Sequence, residues 1–144
     1  MPLIELDMLI AYVNRADKLH DIATEIFNNI LNGKLGGVAV PTSAYIEYEL
    51  VLRSKGYSES EVSNDISAFR RIKNLDEVPL TSKIIIKASE LRRKYNITYF
   101  DSLHAASAFS HDKTIISIDK IYKEIIELRV IDPRKLLRRK NRKY

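Results

Sequence analysis

The sequence contains no cysteine, which excludes disulfides, a thiol nucleophile and a thiolate metal site together. Its three histidines, His20, His104 and His111, lack the local spacing of a zinc motif. No apolar run approaches the ~20 residues of a membrane span, and no basic stretch precedes an apolar core at the N-terminus. The expectation is a soluble, cytoplasmic protein. A Gly-rich phosphate loop and a Ser-His-Asp constellation are missing too, which turns attention away from covalent catalysis. Glutamine is absent while Ile, Lys, Arg and Glu abound, the compositional trend of proteins from hot environments. There are no internal repeats, and 144 residues suit one domain with a single buried core.

What is present is unevenly charged. From Arg134 to Tyr144 the chain reads RKLLRRKNRKY, seven basic residues and no acid, so a chain total of +5 leaves residues 1–133 at −2. The sequence thus divides into a mildly acidic body, 1–133, and a basic C-terminal tail, 134–144. Such a tail either contacts RNA phosphates, releasing condensed counterions, or is a solubilising end.

Hydrophobic periodicity orders the body into short strands alternating with helices. Leu3 to Asp7 reads as a strand and Met8 to Val13 as a turn or two of helix. His20 to Leu31 carries apolar residues at helical spacing, ended by Gly33, Gly36 and Gly37. Val38 to Val40 is a second strand closed by Pro41. Thr42 or Ser43 is positioned to cap a helix that Gly56 stops. Ser58-Glu59-Ser60-Glu61 reads as a capping box opening a helix to about Ile72. Leu75 to Leu80 is extended, Ser82 to Tyr95 a helix with Asn96 as its left-handed terminator, and Tyr99 to about Ser110 a helix capped by Thr98. Thr114 to Ser117 is a strand, Lys120 to Ile126 a short helix and Arg129 to Ile131 a last strand. This alternation predicts a parallel sheet covered on both faces.

Acids stand at the ends of these elements. Asp7 follows the first strand, Asp119 follows the strand at Thr114, and Asp101 lies in the first turn of a helix whose dipole favours an anion. In open α/β sheets the functional crevice lies beyond the carboxyl ends of the strands. Glu47 and Glu49 lie on the helix after Pro41, two residues apart and so pointing to nearly opposite faces; Ala44 and Val51 flank Glu47 more closely and favour it, with Glu49 as the alternative. Asp7, Glu47, Asp101 and Asp119 are therefore the candidate catalytic and metal-binding residues. Carboxylates suit Mg²⁺ or Mn²⁺, hard cations that take oxygen ligands. Singly, each aspartate also reads as a helix cap. His104, one turn past Asp101, reads as packed beneath its helix rather than as a ligand. Arg53 and Lys55 read as a solvated helix end, and Tyr45, Tyr48, Tyr95 and Tyr99 as core rims rather than base-stacking platforms.

Four segments occur in an order that resembles the PIN domain family, of the kind found in VapC-type toxin ribonucleases. They are the apolar strand ending in Asp7, the Pro-led acidic helix from Pro41 to Leu52, the block Phe100-Asp101-Ser102-Leu103-His104-Ala105-Ala106, and Ile115-Ile116-Ser117-Ile118-Asp119-Lys120. The chain departs from the family in following its first aspartate with Met8-Leu9, where a hydroxyl and a small polar residue are usual. The resemblance implies a PIN-like three-layer α/β fold with a short parallel sheet flanked by helices, and a Mg²⁺/Mn²⁺-dependent endoribonuclease acting on RNA. It also implies a small antitoxin protein as partner, a homodimer, and Ser117 either holding a metal-bound water or bonded to backbone. The rival readings are a housekeeping RNA-processing nuclease, a catalytically inactive RNA-binding module, and a phosphorylated receiver-like domain.

Overall fold

The computed structural model describes residues 2–136; the basic tail beyond Leu136 lies outside the described residues. Strand β1 (Leu3–Ile4) leads into α1 (Leu6–Val13) and α2 (His20–Leu31), then β2 (Ala39–Pro41), α3 (Thr42–Ser54) and α4 (Glu59–Arg70). The chain continues through β3 (Asp76–Val78), α5 (Ser82–Lys94), α6 (Tyr99–Phe109), β4 (Thr114–Ile116), a 3₁₀ turn (Lys120–Glu124) and β5 (Arg129–Ile131). The sheet is five-stranded in the order β3-β2-β1-β4-β5, and every pairing is parallel.

The strands are two or three residues long, yet β1, β2 and β4 each separate two cores because successive side chains point to opposite faces. Ile4, Val40 and Ile116 enter one core, with Met8, Phe27, Tyr48 and Phe69 of α1 to α4. Their neighbours Leu3, Ala39 and Ile115 enter the other, with Ile84, Ala88, Leu91 and Leu103 of α5 and α6. Helices on both faces make this the α/β three-layer fold that the alternation of elements predicts.

Helix α6 is buried from Ser102 to Ala108. Its Ala105, Ala106, Ser107 and Ala108 let it lie close against α5, α3 and the sheet. Ser107 Oγ turns back onto the Leu103 carbonyl at 2.8 Å, so the small polar residue needs no outside partner.

Most predicted boundaries hold within a residue or two, and the exceptions have physical causes. Strand β1 stops at Ile4, and α1 begins at Leu6 because the Glu5 carbonyl accepts from the amides of Met8 (3.2 Å) and Leu9 (3.4 Å). Neither Thr42 nor Ser43 caps α3; Pro41 is its N-cap, without a side-chain bond. The Thr42 hydroxyl instead donates to Glu77 Oε2 at 2.8 Å and Ser43 pairs with His104. Asn96 does not adopt the left-handed conformation. The last turn of α5 ends where Tyr95 becomes extended, held by its hydroxyl accepting from the Ile126 amide at 3.1 Å. Gly56, at φ 90°, does terminate α3: its amide reaches the Arg53 carbonyl at 3.0 Å, and the Tyr57 amide reaches that of Leu52 at 3.1 Å, a Schellman closure. Ser58 and Glu61 form the reciprocal capping box. The segment after Asp119 is a single 3₁₀ turn rather than a helix reaching Ile126.

Phe69 sits among Tyr12, Phe27, Tyr45 and Tyr48, with ring centroids 5.6–6.3 Å away. Truncating it opens a cavity ringed by aromatics that cannot close in, so Phe69→Ala is expected to cost about 3–5 kcal/mol. Ser58→Ala, which loses one cap, should cost about 1 kcal/mol. Urea unfolding followed by circular dichroism ranks the two.

Candidate functional site

A cavity of about 470 Å³ opens beside α1, and Glu5, Asp7, Asp17, Glu47, Asp101 and Asp119 all line it. The remaining wall is apolar, from Leu6, Ile10, Leu19 and Ile118, and no Lys or Arg is among the lining residues. The four sequence-predicted acids therefore come together. They arrive from four elements: Asp7 from the first turn of α1, Glu47 from α3, Asp101 from the first turn of α6, and Asp119 as N-cap of the 3₁₀ turn. Glu49 does not join them. It faces outward and pairs with Arg53 at 3.0 Å, and Arg53 also pairs with Glu59.

The residue directly after β1 is Glu5, not Asp7, and it is buried at 6% exposure. Its Oε1 accepts from Ser117 Oγ at 3.0 Å, and its Oε2 faces the Tyr122 hydroxyl at 3.4 Å. Asp7 Oδ2 accepts from the Ile118 amide at 3.1 Å and lies 3.3 Å from Ser117 Oγ. One serine hydrogen thus serves two carboxylates in alternation, while Ser117 Oγ accepts from the Asp119 amide at 3.0 Å. Asp101 Oδ1 accepts from Tyr122 at 3.2 Å. Asp119 Oδ1 accepts from the Ile121 amide at 3.0 Å, so it caps the turn and lines the cavity at once. Glu47 Oε1 accepts from His104 Nε2 at 2.8 Å.

Burial pushes the Glu5 carboxyl well above the ordinary carboxylate range, and the nearby charge of Asp7 and a hydrogen bond to it push the same way. Burial also raises Asp7, against hydrogen bonds from Glu5 and from the Ile118 and Met8 amides that favour its charge. The two acids are set to share a proton when nothing else offsets their charge. Tyr122 is likewise held well above its usual range, by burial first and then by the charges of Glu5 and Asp101, so it stays a phenol and a donor.

These residues fit a divalent cation. Among the described residues, Asp7 Oδ1 is buried without a hydrogen-bond partner, the lining offers carboxylate oxygens and no Lys or Arg, and Glu5, Glu47 and His104 place one donor atom each within 4.8 Å of one another. Carboxylate-rich sites suit Mg²⁺ and Mn²⁺, hard cations that take oxygen ligands.

Sequence reasoning missed Glu5, Asp17 and Tyr122. Glu5 had a legible signal, a lone acid inside the apolar run Leu3-Ile4-Glu5-Leu6. Tyr122 had none, because its place depends on how the 3₁₀ turn folds back under Asp101. His104 is fully buried, as expected, but it also touches the site through Glu47. Tyr45 and Tyr48 belong to the core, Tyr95 packs against the other core, and Tyr99 is 57% exposed. The hydroxyl missing after Asp7 is replaced by buried Met8 and Leu9, and Ser117 supplies one from β4's side.

A PIN domain family model matches residues 7–128. Among solved structures, the chain is similar to VapBC2 from Rickettsia felis bound to a promoter DNA fragment, with TM-score 0.69 and 16% identity over 90% of this chain and 96% of that one. It is also similar to FitAcB from Neisseria gonorrhoeae (TM-score 0.64, 14% identity, 92% and 98% covered). A third is VapC20 of Mycobacterium tuberculosis, described as a sarcin-ricin loop cleaving toxin (TM-score 0.66, 13% identity, 90% and 99% covered). At these identities the likeness is one of fold. No curated protein matches the sequence.

The raised Glu5 and Asp7 carboxyls give the metal-free protein a signed pH dependence. A carboxyl whose folded pKa exceeds its unfolded value contributes stability at low pH and loses it as pH rises through the folded pKa. In EDTA, the melting temperature should therefore fall as pH climbs above the ordinary carboxylate range, and Glu5→Gln should flatten that fall and melt higher at neutral pH. Calorimetry across pH checks both, and a variant melting lower at neutral pH would make Glu5 a structural residue only.

Proposed function

The chain belongs to the PIN domain family of nucleases, and from that premise we propose that it is a Mg²⁺- or Mn²⁺-dependent endoribonuclease, the toxin of a toxin–antitoxin pair. The observation that carries this reading is a cavity lined by six acids and, among the described residues, by no Lys or Arg, with a buried Asp7 oxygen that has no hydrogen-bond partner among them. Asp7, Glu47, Asp101 and Asp119 are the proposed ligand set, and Glu5 joins them.

The chain's own groups divide the work. Ser117, Tyr122 and His104 hold the carboxylates from the protein side with neutral or ring donors, leaving their other lone pairs toward the cavity. Asp7 and Asp101 stand in first helical turns, where free amides favour negative charge. Ile10, Leu19 and Ile118 form an apolar wall beside them. When bound, a divalent cation supplies a low-pKa water and stabilises charge on the scissile phosphate. No side chain here is asked to form a covalent intermediate.

The neighbours support a protein partner: one is a toxin–antitoxin complex from Klebsiella pneumoniae, and VapC20 is described as a toxin. We propose an antitoxin protein as partner on that basis, and further propose RNA substrates, a homodimeric state and a cytoplasmic location. No helix among the described residues is long and apolar enough to cross a membrane.

Cleavage of single-stranded or loop RNA should require Mg²⁺ or Mn²⁺ and vanish in EDTA. Asp101→Asn should abolish it, because a neutral amide is a poorer ligand for a hard cation, whereas Glu49→Gln, on the outer surface, should leave it unchanged. A gel assay of labelled RNA decides; robust cleavage in excess chelator would remove the metal from the mechanism.

The basic tail, 134–144, is proposed to contact RNA phosphates. Deleting residues 137–144 should weaken RNA binding and reduce the slope of log affinity against log salt, while kcat at saturating substrate persists. Filter binding at several salt concentrations reads the slope, and an unchanged slope returns the tail to a solubilising role.

A further inference from the structure

Glu47 reaches the cavity on a long side chain, and among the described residues its carboxylate has one hydrogen-bond partner, His104. That histidine is fully buried, so it touches neither solvent nor RNA. Its Nε2 lies 2.8 Å from Glu47 Oε1, and its Nδ1 lies 2.8 Å from Ser43 Oγ, also fully buried. Ser43 and Glu47 are one turn apart on the same face of α3, so one imidazole from α6 grips two positions of α3. Phe100 stacks on the ring, with centroids 6.2 Å apart and planes 30° from parallel, which fixes its tilt.

We propose that His104 is a positioning residue for Glu47: its Nε2–H holds the glutamate carboxylate toward the cavity, and Ser43 anchors the ring that does so. The chemistry of the pair sets the direction. An ionised carboxylate offers acceptors only, so the hydrogen in this bond belongs to Nε2. Ser43 then holds Nδ1 as donor or acceptor without disturbing it. His104 lies three residues after Asp101, so one helix both carries Asp101 and braces Glu47. A small rotation of α6 would move two members of the acidic set together.

The competing role is direct ligation, since Nε2 and oxygens of Glu5 and Glu47 are mutually within 4.8 Å. Ligation would require Nε2 to give up its hydrogen and its bond to Glu47. The two roles therefore predict opposite states of one atom.

The inference rests on the metal-dependent reading, and the experiment separates the two. ¹⁵N-histidine NMR of the full chain should show His104 Nε2 protonated without metal and still protonated at Mg²⁺ saturation; loss of that hydrogen on loading overturns the positioning role. By calorimetric titration, His104→Leu should bind Mn²⁺ about 10–100-fold more weakly. His104→Gln, whose amide N–H can stand where Nε2–H stood, should recover most of that affinity. In RNA cleavage the leucine variant should lose kcat with KM unchanged, because His104 meets no substrate. A folded leucine variant that binds Mn²⁺ as the parent does defeats the role of His104 alone. If that variant does not fold, the NMR measurement decides. A parent chain that takes up no Mn²⁺ defeats the metal-dependent reading and this inference with it.

Discussion

Negative charge concentrated against an apolar wall is the constraint around which the rest of the molecule is arranged. Glu5 and Asp7 are two residues apart at the end of the central strand, and among the described residues the cavity they share has no lysine or arginine to offset them. Burial of ionised carboxylates is strongly unfavourable unless something compensates. Here the compensation from within the chain is a set of hydrogen-bond donors, namely Ser117, Tyr122, His104 and the Ile118 amide. Such donors orient the acids without cancelling their charge, so the deficit remains available to a cation.

The sheet makes this concentration possible. Because β1 is central and parallel to both neighbours, its carboxyl end opens beside the end of β4, which brings Ser117 and Asp119 next to Glu5 and Asp7. Residue alternation in strands of two or three residues divides the apolar load between two cores. That division leaves the strand ends free of packing duties. Helix α6 approaches from one side on its small residues, and α3 from the other, so Asp101 and Glu47 enter the same cavity from opposite layers.

The parts of this design that depend on local chemistry were legible in the sequence. Ser58 with Glu61, and Thr98 with the Asp101 amide, are caps whose partners lie three residues away. The choice of Glu47 over Glu49 followed from helical period and apolar neighbours. What escaped reading was non-local. Thr42 and Ser43 have the composition of caps, yet Glu77 and His104, 35 and 61 residues away, take their hydroxyls. The first strand was read three residues too long, because a single backbone carbonyl at Glu5 decides where α1 begins. That small displacement hid Glu5, the most buried acid of the site, behind the more conspicuous Asp7.

The Glu5–Ser117 contact spans 112 residues and the Ser43–His104 contact spans 61. A growing polypeptide emerges from its N-terminus, so a chain still on the ribosome as far as α4 already carries Glu5, Asp7 and Glu47 but nothing that orients or completes them. Strand β4 must emerge before the central strand has both neighbours. The site is thus a property of a chain translated at least as far as Tyr122, and a shorter translation product has no means of assembling it.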